Sequence, residues 1–138
     1  MKKFTLILAL FAFVAFANAQ KVYTVAVDTL QGAETVNFGA IKSSVGSGVL
    51  TIQALCTQLG GTSDGSLNLY GSVDGISWVK VLETAGIFHF YPNDTLTITN
   101  GAVLSVVIKD SPFAQYRLTG VGTSGDTTKV AAKYHFKN

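Results

Sequence analysis

Ser63 stands in Gly61-Thr62-Ser63-Asp64-Gly65, which matches the Gly-x-Ser-x-Gly pattern of a nucleophile elbow, and a serine so placed would attack acyl carbons. That elbow needs a strand before it, a helix after it, and an acid and a histidine downstream. Here a strand-like stretch follows, so the string reads as a turn and the match as accidental. His89 and His135 are the only histidines, and neither stands at metal-ligand spacing from a second histidine, a cysteine or a carboxylate. His135 shares a polar phase with Lys133, while His89 falls opposite Phe88 and Phe90, so both read as surface or packing residues. The expectation is no catalytic residue, no enzyme and no cofactor.

Binding chemistry has two candidates. Turn carboxylates can ligate calcium in extracellular modules, and Asp64, Asp74, Asp94 and Asp126 all fall in loop-like stretches, with Asp64 and Asp74 the pair best suited to share an ion. Aspartate is also a good turn residue, because its carboxylate bonds the nearby backbone. The second candidate is a stacking face for sugar rings built from Trp78, Phe88, Phe90 and Tyr91, since aromatic rings cover the apolar faces of sugars. The competing reading puts the same rings in the core. Trp78, the lone tryptophan, then closes one end of the domain, and its removal would cost about 3 to 5 kcal/mol. Cys56 is the only cysteine, so no intrachain disulfide can form. It lies in the apolar phase Leu50, Ile52, Ala54, Cys56 and reads as a small buried hydrophobe.

The elements that must position these groups begin after residue 19. Lys2 and Lys3 precede an apolar run from Phe4 to Ala17, and Ala17-Asn18-Ala19 offers small residues before Gln20. This is the pattern of a secretory signal peptide, and its run is shorter than the roughly 20 residues that span a bilayer. The expectation is a secreted protein, extracellular or on the cell surface with the periplasm also open, and no stable membrane insertion after signal removal. Residues 1–19 are then the signal and 20–138 a single domain. Without Lys2 and Lys3, eight basic residues face eight acidic ones. A neutral domain with no Lys/Arg cluster lacks the electrostatic footprint for nucleic acid.

Period-two alternation runs through this domain and no window sustains a helical period. In residues 128–136, Thr128, Val130, Ala132, Tyr134 and Phe136 form one phase and Lys129, Ala131, Lys133 and His135 the other. Further strands are expected at 21–28, 34–41, 48–58, 66–72, 76–83, 86–91, 95–99, 102–109 and 114–121. Turn chemistry separates them, including Asp74-Gly75, Pro92-Asn93-Asp94, Asn100-Gly101 and Asp110-Ser111-Pro112. Asn-Gly favours the tight type I′ hairpin, so Asn100-Gly101 is expected to join two paired strands. About ten half-apolar strands hide their inner faces most naturally in an antiparallel β-sandwich, jelly-roll or immunoglobulin-like.

The stretch Gly61-Thr62-Ser63-Asp64-Gly65-Ser66-Leu67-Asn68-Leu69-Tyr70-Gly71-Ser72-Val73-Asp74-Gly75-Ile76-Ser77-Trp78 reads as a hairpin with Leu67 and Leu69 inward. Gly71 then permits a bulge or a close approach. This stretch resembles small β-sandwich domains of phage virion proteins and bacterial surface proteins in its Gly-Thr start, its Gly-Ser strand end and its Asp-Gly-x-x-Trp. The run from Tyr116 to Asp126, with the alternating strand after it, is similar to the ending of such domains. The resemblance implies a non-catalytic structural or attachment module whose partners are copies of itself or other surface or virion proteins. A carbohydrate-binding module, with a glycan as partner, is the alternative.

Overall fold

The computed structural model describes residues 22–43, 48–62, 64–82, 84, 86–91 and 96–137. The signal-like stretch 1–19, Ser63 and the turn at Pro92-Asn93-Asp94 lie outside the described residues. Eleven strands run through the described part: β1 (Val22–Gln31), β2 (Thr35–Asn37), β3 (Ile41–Lys42), β4 (Val49–Gly60), β5 (Gly65–Ser72), β6 (Val79–Lys80), β7 (Phe88–Tyr91), β8 (Leu96–Thr97), β9 (Val103–Lys109), β10 (Gln115–Gly122) and β11 (Thr127–Lys137). Among the described residues there is no helix, and hence none long and apolar enough to cross a membrane.

Alternation dictates the layering. In β4, Leu50, Ile52, Ala54 and Cys56 are buried while Gln53, Leu55 and Thr57 are exposed, and in β11 Thr128, Val130 and Ala132 are buried between exposed Lys129 and Lys133. Two such faces can only be hidden against each other. The first sheet has the order β1-β11-β4-β9-β7, and the second has β2-β10-β5-β6, with β3 continuing along β10 beyond β2 and β8 sharing the edge of β5 with β6. Every pairing is antiparallel. The core between the sheets includes Leu30, Phe38, Ile41, Leu69, Ile98, Ile108, Tyr116 and Leu118.

Successive strands mostly alternate between sheets, so the chain wraps around its core. The pairs β1-β11, β4-β9, β2-β10 and β5-β8 are those of a double-sheet jelly roll, with β6 and β7 added at neighbouring edges. Of the sandwich forms expected from the sequence, the jelly roll is the one observed.

Several expected elements change. Stretch 34–41 divides into β2 and β3, because Phe38 turns inward to the core while its N–H still bonds the Leu118 carbonyl. Stretch 76–83 contracts to Val79–Lys80. Asn100-Gly101 is not a hairpin: β8 belongs to the second sheet and β9 to the first. Gly101 alone of the two has positive φ, at 72°, whereas a type I′ turn needs both. The turn instead carries the chain across the sandwich, with the Gly101 N–H on the Cys56 carbonyl and the Gln58 N–H on Asn100 Oδ1. Gly71 makes the close approach and no bulge, since the β5/β10 register runs unbroken past Gly71 and Tyr116 and a Cβ there would collide with the Phe113 ring.

Candidate functional site

The four proposed sugar-stacking rings do not meet. β7 alternates, so Phe88 and Phe90 are buried and face the core while His89 and Tyr91 face outward from the first sheet. The His89 and Tyr91 rings meet edge to face at 4.7 Å. Trp78 lies just before β6 of the other sheet, half-buried. It is not a core plug: the Arg117 guanidinium lies 4.3 Å from its ring centroid and 5.9 Å from that of Tyr70. β10 points Tyr116 and Leu118 inward, which sends Arg117 outward opposite Tyr70, itself paired with Lys80. Arg117 Nε is buried without a hydrogen-bond partner. No sequence signal marks this cluster, because its members come from β5, β10 and the loop before β6.

The proposed calcium pair is also separated. Asp64 precedes β5 and Asp74 follows it, and a strand of eight residues spans about 26 Å, so one ion cannot reach both. Asp64 accepts the Gly65 N–H at 2.7 Å. Asp126 is buried, and its Oδ1 accepts both the N–H and the hydroxyl of Thr62 at 2.8 Å, tying two end loops together. Among the described residues no group of three or more His, Cys, Asp or Glu is placed to hold a metal. Nor do the histidines converge: His135 on β11 and His89 on β7 are separated by β4 and β9. Cys56 is fully buried, and desolvation pushes its thiol up to about 11.

What Asp74 does is shape a loop. Its Oδ1 accepts the N–H of Ile76 and of Ser77, each at 2.8 Å, and the Ser72 hydroxyl at 3.0 Å, while the Gly75 N–H bonds Ser72 Oγ at 2.9 Å. These donors hold the carboxyl at about 2, well below the usual carboxylate range. The loop they fix presents aliphatic side chains to solvent: Val73 is 71% exposed and Ile76 84%, and Val79 on the edge strand β6 and Leu82 just after it add 60% and 67%. Val73 and Ile76, on either side of Asp74-Gly75, were the available sequence signal.

Beside this margin, a cavity of about 350 Å³ opens where β6 and β8 leave part of the β5 edge uncovered, lined by Asn68, Lys80, Leu82, Phe90 and Thr97 among others. The other exposed margin is β1. Ten residues long, it pairs only with β11 among the described strands, and it carries exposed Val22, Tyr23 and Val27. Its register shifts between Thr24 and Ala26.

No family model matches the chain, and no curated protein does. Among solved structures it is similar to a chain of the Bacillus endospore appendages, described as a family of disulfide-linked pili, at 13% identity over 87% of this chain and 93% of that one, with a TM-score of 0.41. It is also similar to the infectious bursal disease virus VP2 subviral particle, at 12% identity over 87% of this chain and 41% of that one, with a TM-score of 0.33.

Proposed function

We propose that this chain is a secreted or surface structural module, without enzymatic activity, that works by associating with further copies of itself or with other surface proteins. The observation that carries the reading is the exposed aliphatic margin Val73, Ile76, Val79 and Leu82. Scattered surface aliphatics are ordinary, but four fall within ten residues here, Val73 and Ile76 on a loop fixed by its own hydrogen bonds, and apolar exposure so concentrated is of the kind that marks protein contacts. Rigidity adds to the case, because a loop already ordered loses little entropy on binding.

Sedimentation equilibrium of the purified protein from micromolar to millimolar concentration tests this. Growth of the weight-average mass with concentration supports it, and a monomer throughout, with no surface partner recovered by cross-linking in the producing cells, removes it. Intact mass of the secreted product tests the location, with a chain beginning at Gln20 as the expected result.

A glycan-binding function is the second reading, now on different residues. Trp78, Tyr70, Arg117 and Lys80 share the outer face of the second sheet, combining ring faces with hydrogen-bond donors. Titration with neutral and acidic oligosaccharides, read by tryptophan fluorescence, decides it; an unchanged spectrum for both classes ends it.

A further inference from the structure

The exposed aliphatic side chains form a second group, far from the Asp74 loop. Register places Val27 beside Ala131, Ala131 beside Leu55, and Leu55 beside Val103. Four strands thus contribute one apolar row, about 14 Å long at ordinary strand spacing, across the outer face of the first sheet. Val27, Leu55 and Val103 are 55, 46 and 54% exposed. This is a continuous row rather than scattered residues. On one side it is bounded by Lys133, Gln53 and Ser105, and on the other by Lys129 and Thr57.

Charge decides what can cover the row. Lys129 and Lys133 are exposed on the same strand, to either side of Ala131. Pairing the row with the same row of a second copy lays Lys129 against Lys133 when the two-fold runs along the row, and leaves the lysines only one strand apart when it runs across its middle. Like charges so placed oppose association. The occupant must be apolar at its centre and neutral or acidic at its rim. Residues 72–79 fit through their Val73–Ile76 part: they carry Val73, Ile76 and Val79 and one carboxylate at Asp74, ionised at neutral pH, while the neighbouring cations Arg117 and Lys80 lie beside Trp78 and Val79.

We propose that the two surfaces are partners in successive copies of this chain: the Val73–Val79 loop of one molecule seats on the Val27–Ala131–Leu55–Val103 row of the next, with Asp74 at the lysine-bearing rim of the row. This rests on the assembly reading above and gives it a geometry. The two patches differ, so each contact leaves one of each unused, and association is head-to-tail. Such contacts close into rings or run on as filaments rather than stopping at a dimer. The contact is small beside the roughly 800 Å² per partner of a standard interface, so assembly is concentration-dependent.

Complementation between two single variants tests the proposal. Ile76→Asp spoils the loop and Leu55→Asp the row; both sites are exposed, and urea midpoints near wild type confirm folding, with Ile76→Ser and Leu55→Ser as milder substitutes. In sedimentation velocity the wild type is expected to form species larger than a dimer, and each variant alone to weaken association at least tenfold. Their equimolar mixture should give a one-to-one heterodimer and nothing larger, because each supplies the patch the other lacks. If the wild type assembles while either variant still assembles fully, or while the mixture stays monomeric, this contact is wrong and the assembly reading survives through another surface. If the wild type itself stays monomeric, this contact falls, and the assembly reading stands only if cross-linking in the producing cells recovers another surface protein.

Discussion

The Arg117 guanidinium stacks on the Trp78 ring at 4.3 Å, on the outer face of the second sheet rather than between the sheets. A half-buried ring under a cation loses one cation–π contact and part of its area when truncated. Trp78→Ala is therefore expected to cost about 1 to 2 kcal/mol, below the 3 to 5 of a core aromatic. Urea unfolding measures this, and a loss at the core level would place the ring inside. Arg117→Gln should change the tryptophan emission with little change in stability.

Asp74 has its carboxyl lowered from 3.8 to about 2 by the backbone N–H of Ser77, that of Ile76 and the Ser72 hydroxyl. The native state thus binds the proton less readily than the unfolded chain, so the contribution is complete above about pH 4 and lost as pH falls towards 2. Carbon-detected NMR titration should put the Asp74 midpoint near 2. Amide exchange at Ile76 and Ser77 should quicken over the same range, and a midpoint near 4 would show that the loop bonds do not form in solution.

Cys56 is buried and its thiol is raised from 9.0 to about 11 by desolvation. Because the thiolate is the reactive form, a chromogenic disulfide reagent at pH 8 should leave the native protein unmodified and label it fully in denaturant. The sign for stability follows: the unfolded chain ionises first, so stability falls as pH rises past about 9. Rapid native labelling would contradict the burial.

Gly71 faces the core with the Phe113 ring where a side chain would stand. Gly71→Ala is expected to destabilise by about 1 to 3 kcal/mol through overpacking. Adding Phe113→Ala should remove most of that increment, so the double variant lies closer to Phe113→Ala than additivity predicts. Strict additivity in urea unfolding would show that the two positions do not touch.

Local chemistry determined much of this fold. The period-two phases of residues 48–58 and 128–136 fixed which side chains face inward, since a strand has only two faces; Cys56 lies where its phase puts it, and Leu67 and Leu69 lie inward as the alternation of 66–72 requires. The same reasoning located the turns, because Gly, Asn and Asp permit the backbone conformations a reversal needs. It could not say what each turn joins. Asn100-Gly101 has the same chemistry whether the next strand pairs with the last or crosses to the opposite sheet, and that choice depends on contacts such as the Gly101 N–H to the Cys56 carbonyl.

Sequence by itself thus determined an all-β chain, its inward faces and its breaks, all set by neighbours a few residues apart. Only tertiary structure decided the pairing of β1 with β11, the separation of Asp64 from Asp74, the meeting of Arg117 with Trp78, and the row that Val27, Ala131, Leu55 and Val103 build together. Strand order and register arise from matching whole faces across long loops. No single segment contains the information that says which face it will find.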